Sequence, residues 1–286
     1  MKLRTLFHSL FHSLFHPGVG LLGAALFSLS VHADALKIGV TPGALADSIH
    51  VAAEEAKAQG LEVEVVEFSD WITPNLALAS KDLDANYFQH QAFLDNAIKE
   101  RGYPLKAVGL GILSNIGLYS TRINSFAELK DGARVAVAND PVNQGRGLLL
   151  LQAAGLVTLR EGVGSHARLS DIVANPKNLQ LVEIEGPQLV RALEDVDLAQ
   201  GYPAHLVAAG THDPGSALLY SGVDDLYYAI RFVAREDNAG DPRLAQFIRL
   251  YQQSPAVRVQ IRKSNADNER LYTLPWLHET SAAAQR

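Results

Sequence analysis

Three short stretches carry the side chains with which this sequence could do chemistry. In DANYFQHQAFLDN (84–96), Tyr87 and Phe88 stand beside Gln89 and His90 where a short strand gives way to a helix. In ANDPVNQGRG (138–147), Asn143 and Arg146 sit where a strand leads into another helix. In SDWITPN (69–75), Trp71 lies between strand and helix. Ligands in open α/β sheets collect at the C-terminal ends of strands. A helix start offers free backbone N–H groups and the positive end of its dipole. An arginine's planar fork matches a carboxylate through two parallel hydrogen bonds. Taken singly, each stretch has a plainer account: a core ring, or a surface arginine capping carbonyls. One cationic and two aromatic clusters at corresponding strand ends describe a receptacle for a small zwitterion or anion with an apolar part. A fourth stretch, LAQGYPAHLV (198–207), adds Tyr202, Pro203 and His205.

The sequence offers little for catalysis. It has no phosphate loop, and GVGSHA (162–167) has two glycines without a full dinucleotide fingerprint. No G-x-S-x-G elbow occurs. There is no cysteine, which excludes disulfides, thiolate metal sites and a cysteine nucleophile. His50, His90, His166, His205, His212 and His278 follow no metal-ligand spacing, so neither metal nor cofactor is expected. Asp197 or His205 can be imagined as a general base near Tyr202, but no nucleophile, base and orienting group assemble from the spacing.

The elements that must position these residues read as an α/β chain. LKIGV (36–40), a helix over about 45–59 and LEVEVVEF (61–68) form a βαβ unit, which calls for a parallel sheet. The pattern recurs through PNLALAS, LDANYF and QAFLDNAIKERG, the last closed by Gly102. NSFAELKDG opens a new unit with a Ser125 cap and Glu128 three residues on. Strands ARVAVAND, LQLVEIE, VDLAQ and LYYAIRFVARE (226–236) follow, separated by the helices LLLLQAAG and QLVRALED. A final helix has Asp241 as its cap and Pro242 at its first position. Residues 1–33 read as an export leader: Lys2 and Arg4, an apolar run from Val19 to Leu29, then Val31-His32-Ala33. The formal net charge is −6, and loss of Lys2 and Arg4 with the leader carries it to −8, a balance that disfavours nucleic acid and anionic membrane.

FSDWITPNLALASKDLDANYFQHQAFLDN, VAVANDPVNQGRGLLLLQAAGL and DIVANPKNLQLVEIEGPQLVRALEDVDLA together resemble the methionine-binding lipoprotein family, also called the MetQ or NlpA family. The resemblance runs from about Leu36 to Trp276. It implies a two-lobed periplasmic binding protein fold of type II, each lobe a mostly parallel sheet flanked by helices, with ligand in the interlobe cleft. By it, the first lobe comprises 34–119 and 226–276 and the second 120–225. The closing stretch 277–286, with HETSAAAQR, reads by itself as a disordered tail. It implies an ABC importer's solute-binding protein, monomeric, with an amino acid or derivative as ligand and an inner-membrane permease as partner. Trp71, Tyr87, Phe88 and His90 match the family's aromatic and imidazole contacts, and Arg146 its carboxylate-binding arginine, with Asn143 beside it.

Two departures stand out. The family's lipid-modified cysteine has no counterpart, so a free periplasmic protein is expected. After VDLA the family carries asparagines, one a ligand contact, where this chain has Tyr202 and Pro203. That exchange predicts a ligand differing from methionine in size or head group. A ligand-sensing module and a periplasmic enzyme acting on a small amino-acid-like substrate stand as alternatives. The leader, the acidic charge and the absence of a helix-turn-helix extension weigh against the sensor.

Overall fold

The computed structural model describes residues 34–277; the expected leader and, beyond Leu277, the expected tail lie outside the described residues. Leu36, Ile38 and Val40 alternate with Lys37 and Gly39, and this period of two makes β1 (Leu36–Val40) a strand with branched side chains in a core. α1 (Ala44–Ala58) packs back over it, burying Ile49, Ala52, Ala53 and Ala56. β2 (Val63–Glu67) then pairs parallel to β1. α2 (Thr73–Ala79), β3 (Ala85–His90), α3 (Gln91–Arg101) and β4 (Leu105–Leu110) continue the alternation.

The chain crosses through β5 (Leu113–Ser114) into a second sheet at β6 (Gly117–Tyr119). β7 (Arg134–Ala138), α4 (Pro141–Ala153), β8 (Thr158–Leu159), β9 (Ile172–Ala174) and β10 (Gln180–Ile184) follow. Then come α5 (Leu189–Ala192), β11 (Leu198–Gly201), α6 (Pro203–Ala209) and β12 (Leu219–Tyr220). The chain returns to the first sheet as β13 (Ile230–Arg235), α7 (Pro242–Gln253), α8 (Pro255–Lys263) and β14 (Tyr272–Thr273), which pairs with β5. Asp241 accepts from the Arg243 N–H with Pro242 next to it, the start signalled by the sequence.

The sheets share one plan, ordered β2-β1-β3-β13-β4 and β10-β7-β11-β6-β12. In each, the fourth strand alone, β13 or β6, runs against the other four. Each sheet has its own core. Val135 and Val137 of β7 face one cluster with Leu148 and Leu151, while Ala136 and Ala138 face another with Leu189 and Leu193. The two sheets, each with its own core, make a two-lobed α/β fold.

Local details differ from the sequence reading. β6 belongs to the second sheet, so the crossing precedes residue 119. NSFAELKDG holds only a 3-10 turn over Phe126–Glu128, and α5 is one turn long. The last long strand begins at Ile230, because Leu226–Tyr228 form a 3-10 turn. The two crossings run side by side. The Gly111 N–H donates to the Ile230 carbonyl at 2.8 Å, and the Ser221 N–H to that of Ile116 at 2.9 Å. Between them, buried Asn115 accepts from the Ser221 hydroxyl and the Gly222 N–H, each at 3.0 Å.

Candidate functional site

Trp71 owes its place to its neighbour. The Asp70 carboxylate accepts from the N–H groups of Ile72 and Thr73 and from the Thr73 hydroxyl, each at 2.7 Å. Burial alone would raise its pKa, but these hydrogen bonds, led by Thr73, outweigh it and hold the carboxyl below its ordinary value. Behind the loop, α2 is pinned to β3 by three buried amides. Asn86 donates to Asn75 Oδ1 at 2.9 Å, and Gln89 donates to Asn86 Oδ1 and accepts from Asn75, both at 2.9 Å.

β3 splits the aromatic cluster read from the sequence. Tyr87 is a correction: it does not reach the cleft. Strand alternation sends neighbouring side chains to opposite faces, and Tyr87 joins Ala85 in the first lobe's core. It stacks on Phe232 at 4.3 Å, and its hydroxyl meets that of Tyr251 at 2.8 Å. Phe88 and His90 face the cleft. His90 Nδ1 accepts from the Phe93 N–H at 3.1 Å and so caps α3. The ring proton is thereby assigned to Nε2, 3.3 Å from Asn143 Oδ1 of the second lobe. Burial, reinforced by the Arg146 charge, draws the His90 pKa down to about 3.

In the second lobe, the start of α4 is not open as the sequence suggested. Asp140 caps it, accepting from the Asn143 N–H at 2.9 Å. The Asn143 amide also donates to both Asp140 oxygens at 3.1 Å, which turns its Oδ1 toward His90. Arg146 lies one turn on, only 7% exposed. No hydrogen bond or ion pair joins its guanidinium to another described residue; the Tyr228 ring lies 4.2 Å beneath it. Burial lowers its pKa, opposed by Tyr202, Tyr228 and Asp140, and an arginine stays charged under such a shift.

Buried Gln200 braces this wall, donating to the Asn143 carbonyl at 3.0 Å and to the Tyr202 hydroxyl at 3.2 Å. Tyr202 precedes α6, edge-on to Trp71 at 5.5 Å and 5.4 Å from the His205 ring. Burial raises the Tyr202 pKa, so its hydroxyl stays neutral. Burial lowers that of His205 to about 4, and its Nδ1 is shut off from solvent without a hydrogen-bond partner among the described residues.

These side chains enclose one cavity between the lobes. Of the expected site residues, Trp71, Phe88, His90, Asn143, Arg146 and Tyr202 line it, and Tyr87 does not. Phe93, His205 and Tyr228 line it as well. Phe93 reads in sequence as a plain helix residue. Tyr228 reads as strand, and only the turn at Leu226–Tyr228 brings it to Arg146. Asp197 lies elsewhere, accepting from Arg122 at 3.1 Å and from the Arg134 N–H at 2.8 Å. Among the described residues no His, Cys, Asp and Glu group could hold a metal ion, and no helix is long and apolar enough to cross a membrane. The cavity thus presents one cation that is ion-paired to no other described residue, two imidazoles held neutral and walls of aromatic and aliphatic carbon. It suits a small molecule with an anionic end and an apolar body.

The profile of the NlpA lipoprotein family matches residues 36–271. The D-methionine-binding lipoprotein MetQ of Salmonella typhimurium is 44% identical over 219 residues, covering 76% of this chain and 81% of that protein. The crystal structure of the methionine-binding protein MetQ superposes with a TM-score of 0.77 at 41% identity, covering 81% of this chain and 95% of that one. A nutrient-binding protein from Burkholderia cenocepacia, solved bound to methionine, gives 0.76 at 38% identity, covering 81% and 97%.

Proposed function

The chain belongs to the NlpA lipoprotein family, and from that premise we propose that it is the solute-binding component of an ABC importer, carrying methionine or a related amino acid or sulfur compound to a permease. One observation carries the reading. Arg146 is a nearly buried cation that makes no ion pair or hydrogen bond to another described residue, on the wall of a mostly apolar cavity. Leaving a charge buried and unpaired is strongly unfavourable, so the arrangement makes sense when a ligand's carboxylate completes it. Tyr228 holds the guanidinium from below, and Asn143 and His90 fix the geometry across the cleft. Phe88, Phe93, Ile112 and Ile230 give the ligand's side chain an apolar bed. The faces of Trp71 and Tyr202 suit an ammonium through cation–π attraction. No step here needs a catalytic group, a metal or a cofactor. With no cysteine to lipidate, the exported chain works as a free, monomeric protein recoverable by osmotic shock.

The test is a thermal-shift screen of residues 34–286 against L- and D-methionine, other amino acids and small sulfur compounds. A ligand that binds only the folded state adds about 2.7 kcal/mol at a hundredfold excess over Kd. A shift with one of these compounds, abolished in Arg146→Ala, is the expected result. No shift with any amino acid or sulfur compound would overturn the assignment.

A further inference from the structure

Trp71 has a second role that the cavity lining does not explain. It belongs to the first lobe, between β2 and α2, yet its ring is packed largely by the second. Tyr202 and His205 stand 5.5 and 6.1 Å from it, centre to centre. Beneath it lies Gly186, in the turn between β10 and α5. A Cβ built on Gly186 would overlap Cζ3 and Cη2 of the indole and lie 2.8 Å from its Cε3. Gly186 opens a 3-10 turn ahead of Pro187 and lies outside the left-handed region, so no positive φ calls for glycine here. The close approach of the indole excludes a side chain here. Trp71 also lies between two spaces: it lines the binding cavity on one side and, on the other, an outer cleft bordered by Asp70, Glu100, Asp140 and Glu185.

We propose that Trp71 is a cross-lobe latch and that Gly186 is its seat: on closure the indole settles over the bare Cα of Gly186 and walls the ligand off from the outer cleft. This rests on the reading of the protein as a binding protein whose lobes close on a ligand. The seat positions the latch and touches no ligand itself. Its removal changes how completely the lobes close, not which groups the ligand meets.

The test uses Gly186→Ala, Trp71→Phe and the double variant. The chain has two tryptophans, and Trp276, buried in the first lobe's core, supplies a constant background. Acrylamide quenching of Trp71, taken as the difference from Trp71→Phe, is measured alone and with saturating L- or D-methionine. The parent is expected to shield the indole in at least one condition, and Gly186→Ala to expose it in that same condition with an unchanged ligand-free melting temperature. Overpacking of this kind corresponds to a loss of methionine affinity of about five- to a hundredfold. The smaller ring of Trp71→Phe should recover part of that loss in the double variant, a non-additive pair. Equal shielding in the parent and Gly186→Ala would overturn the latch, as would an indole never shielded in the parent or strictly additive variants. Calorimetry separates the two claims. A parent that binds neither enantiomer refutes methionine as ligand, while quenching still decides the latch.

Discussion

Arg146 sets the strongest expectation at the level of single residues. Truncating one partner of a buried charged pair costs about 2–5 kcal/mol, so Arg146→Ala should weaken methionine binding by at least about thirtyfold, the low end of that range. Unchanged affinity by calorimetry would return Arg146 to a structural role. Tyr202 tests specificity. Its ring stands against Trp71, where an asparagine would offer a donor and an acceptor, so Tyr202→Asn should tighten L-methionine binding, and equal or weaker binding would contradict that. The buried histidines make stability depend on pH. His90 and His205 have folded pKa values of about 3 and about 4, below the ordinary value near 6.5, so between roughly pH 6.5 and 4 the unfolded chain takes up protons that the folded one refuses. Stability is therefore full above pH 6.5 and falls beneath it, by about 2 kcal/mol at pH 5.5 for the pair. Urea unfolding at both values checks this, and His205→Phe should flatten the slope. Which residues face the cleft was only partly readable. Trp71, His90, Asn143 and Tyr202 stand at or within three residues of an element end. Phe88 lies two residues before the end of β3 and Arg146 one turn into α4, all close enough to the strand ends for residue type and position to agree. Tyr87 has the right type one position out of phase, and its burial depends on Phe232 and Tyr251, which no local pattern ties to it.

At the scale of elements, the amide cluster of Asn75, Asn86 and Gln89 ties α2, and with it Trp71, to β3. Asn86 is fully buried with every polar atom bonded. Asn86→Leu removes its own two donations and leaves one Gln89 N–H without an acceptor, while Asn75 Oδ1 keeps only its bond from Gln89. A stranded buried donor costs about 1–3 kcal/mol. The variant should unfold at markedly lower urea, and an unshifted midpoint would show that the cluster is not holding α2. The period-two and helical patterns were clear for β1, α1, β3, α3 and α7, where Gly102, Asp241 and Pro242 mark the ends. They failed where long-range contacts decide. Leu226–Tyr228 has strand-like composition, but it turns to place Tyr228 under Arg146. QLVRALED has a helical period, but only Leu189–Ala192 form the helix proper, after a 3-10 turn at Gly186.

At the scale of the whole molecule, the place of β13 governs the order in which the protein can be assembled. Every strand of the second sheet lies between residues 117 and 220, so that lobe is complete in any chain reaching about 222. The first sheet is not, because its interior strand, β13, spans residues 230–235 and fills the gap between β3 and β4. Domains usually mature from the N-terminus as they are made; here the later-encoded lobe finishes first. A fragment of residues 34–222 should therefore show hydrogen-exchange protection in β6, β7, β10 and β11, with β1–β4 exchanging freely. Protection of both sets would show that β13 is dispensable. Until β13 arrives, β3 and β4 face each other across an empty lane with unpaired edges, the kind of surface that templates aggregation. An unfinished chain is at its most vulnerable there, and a chaperone would have the most to shield.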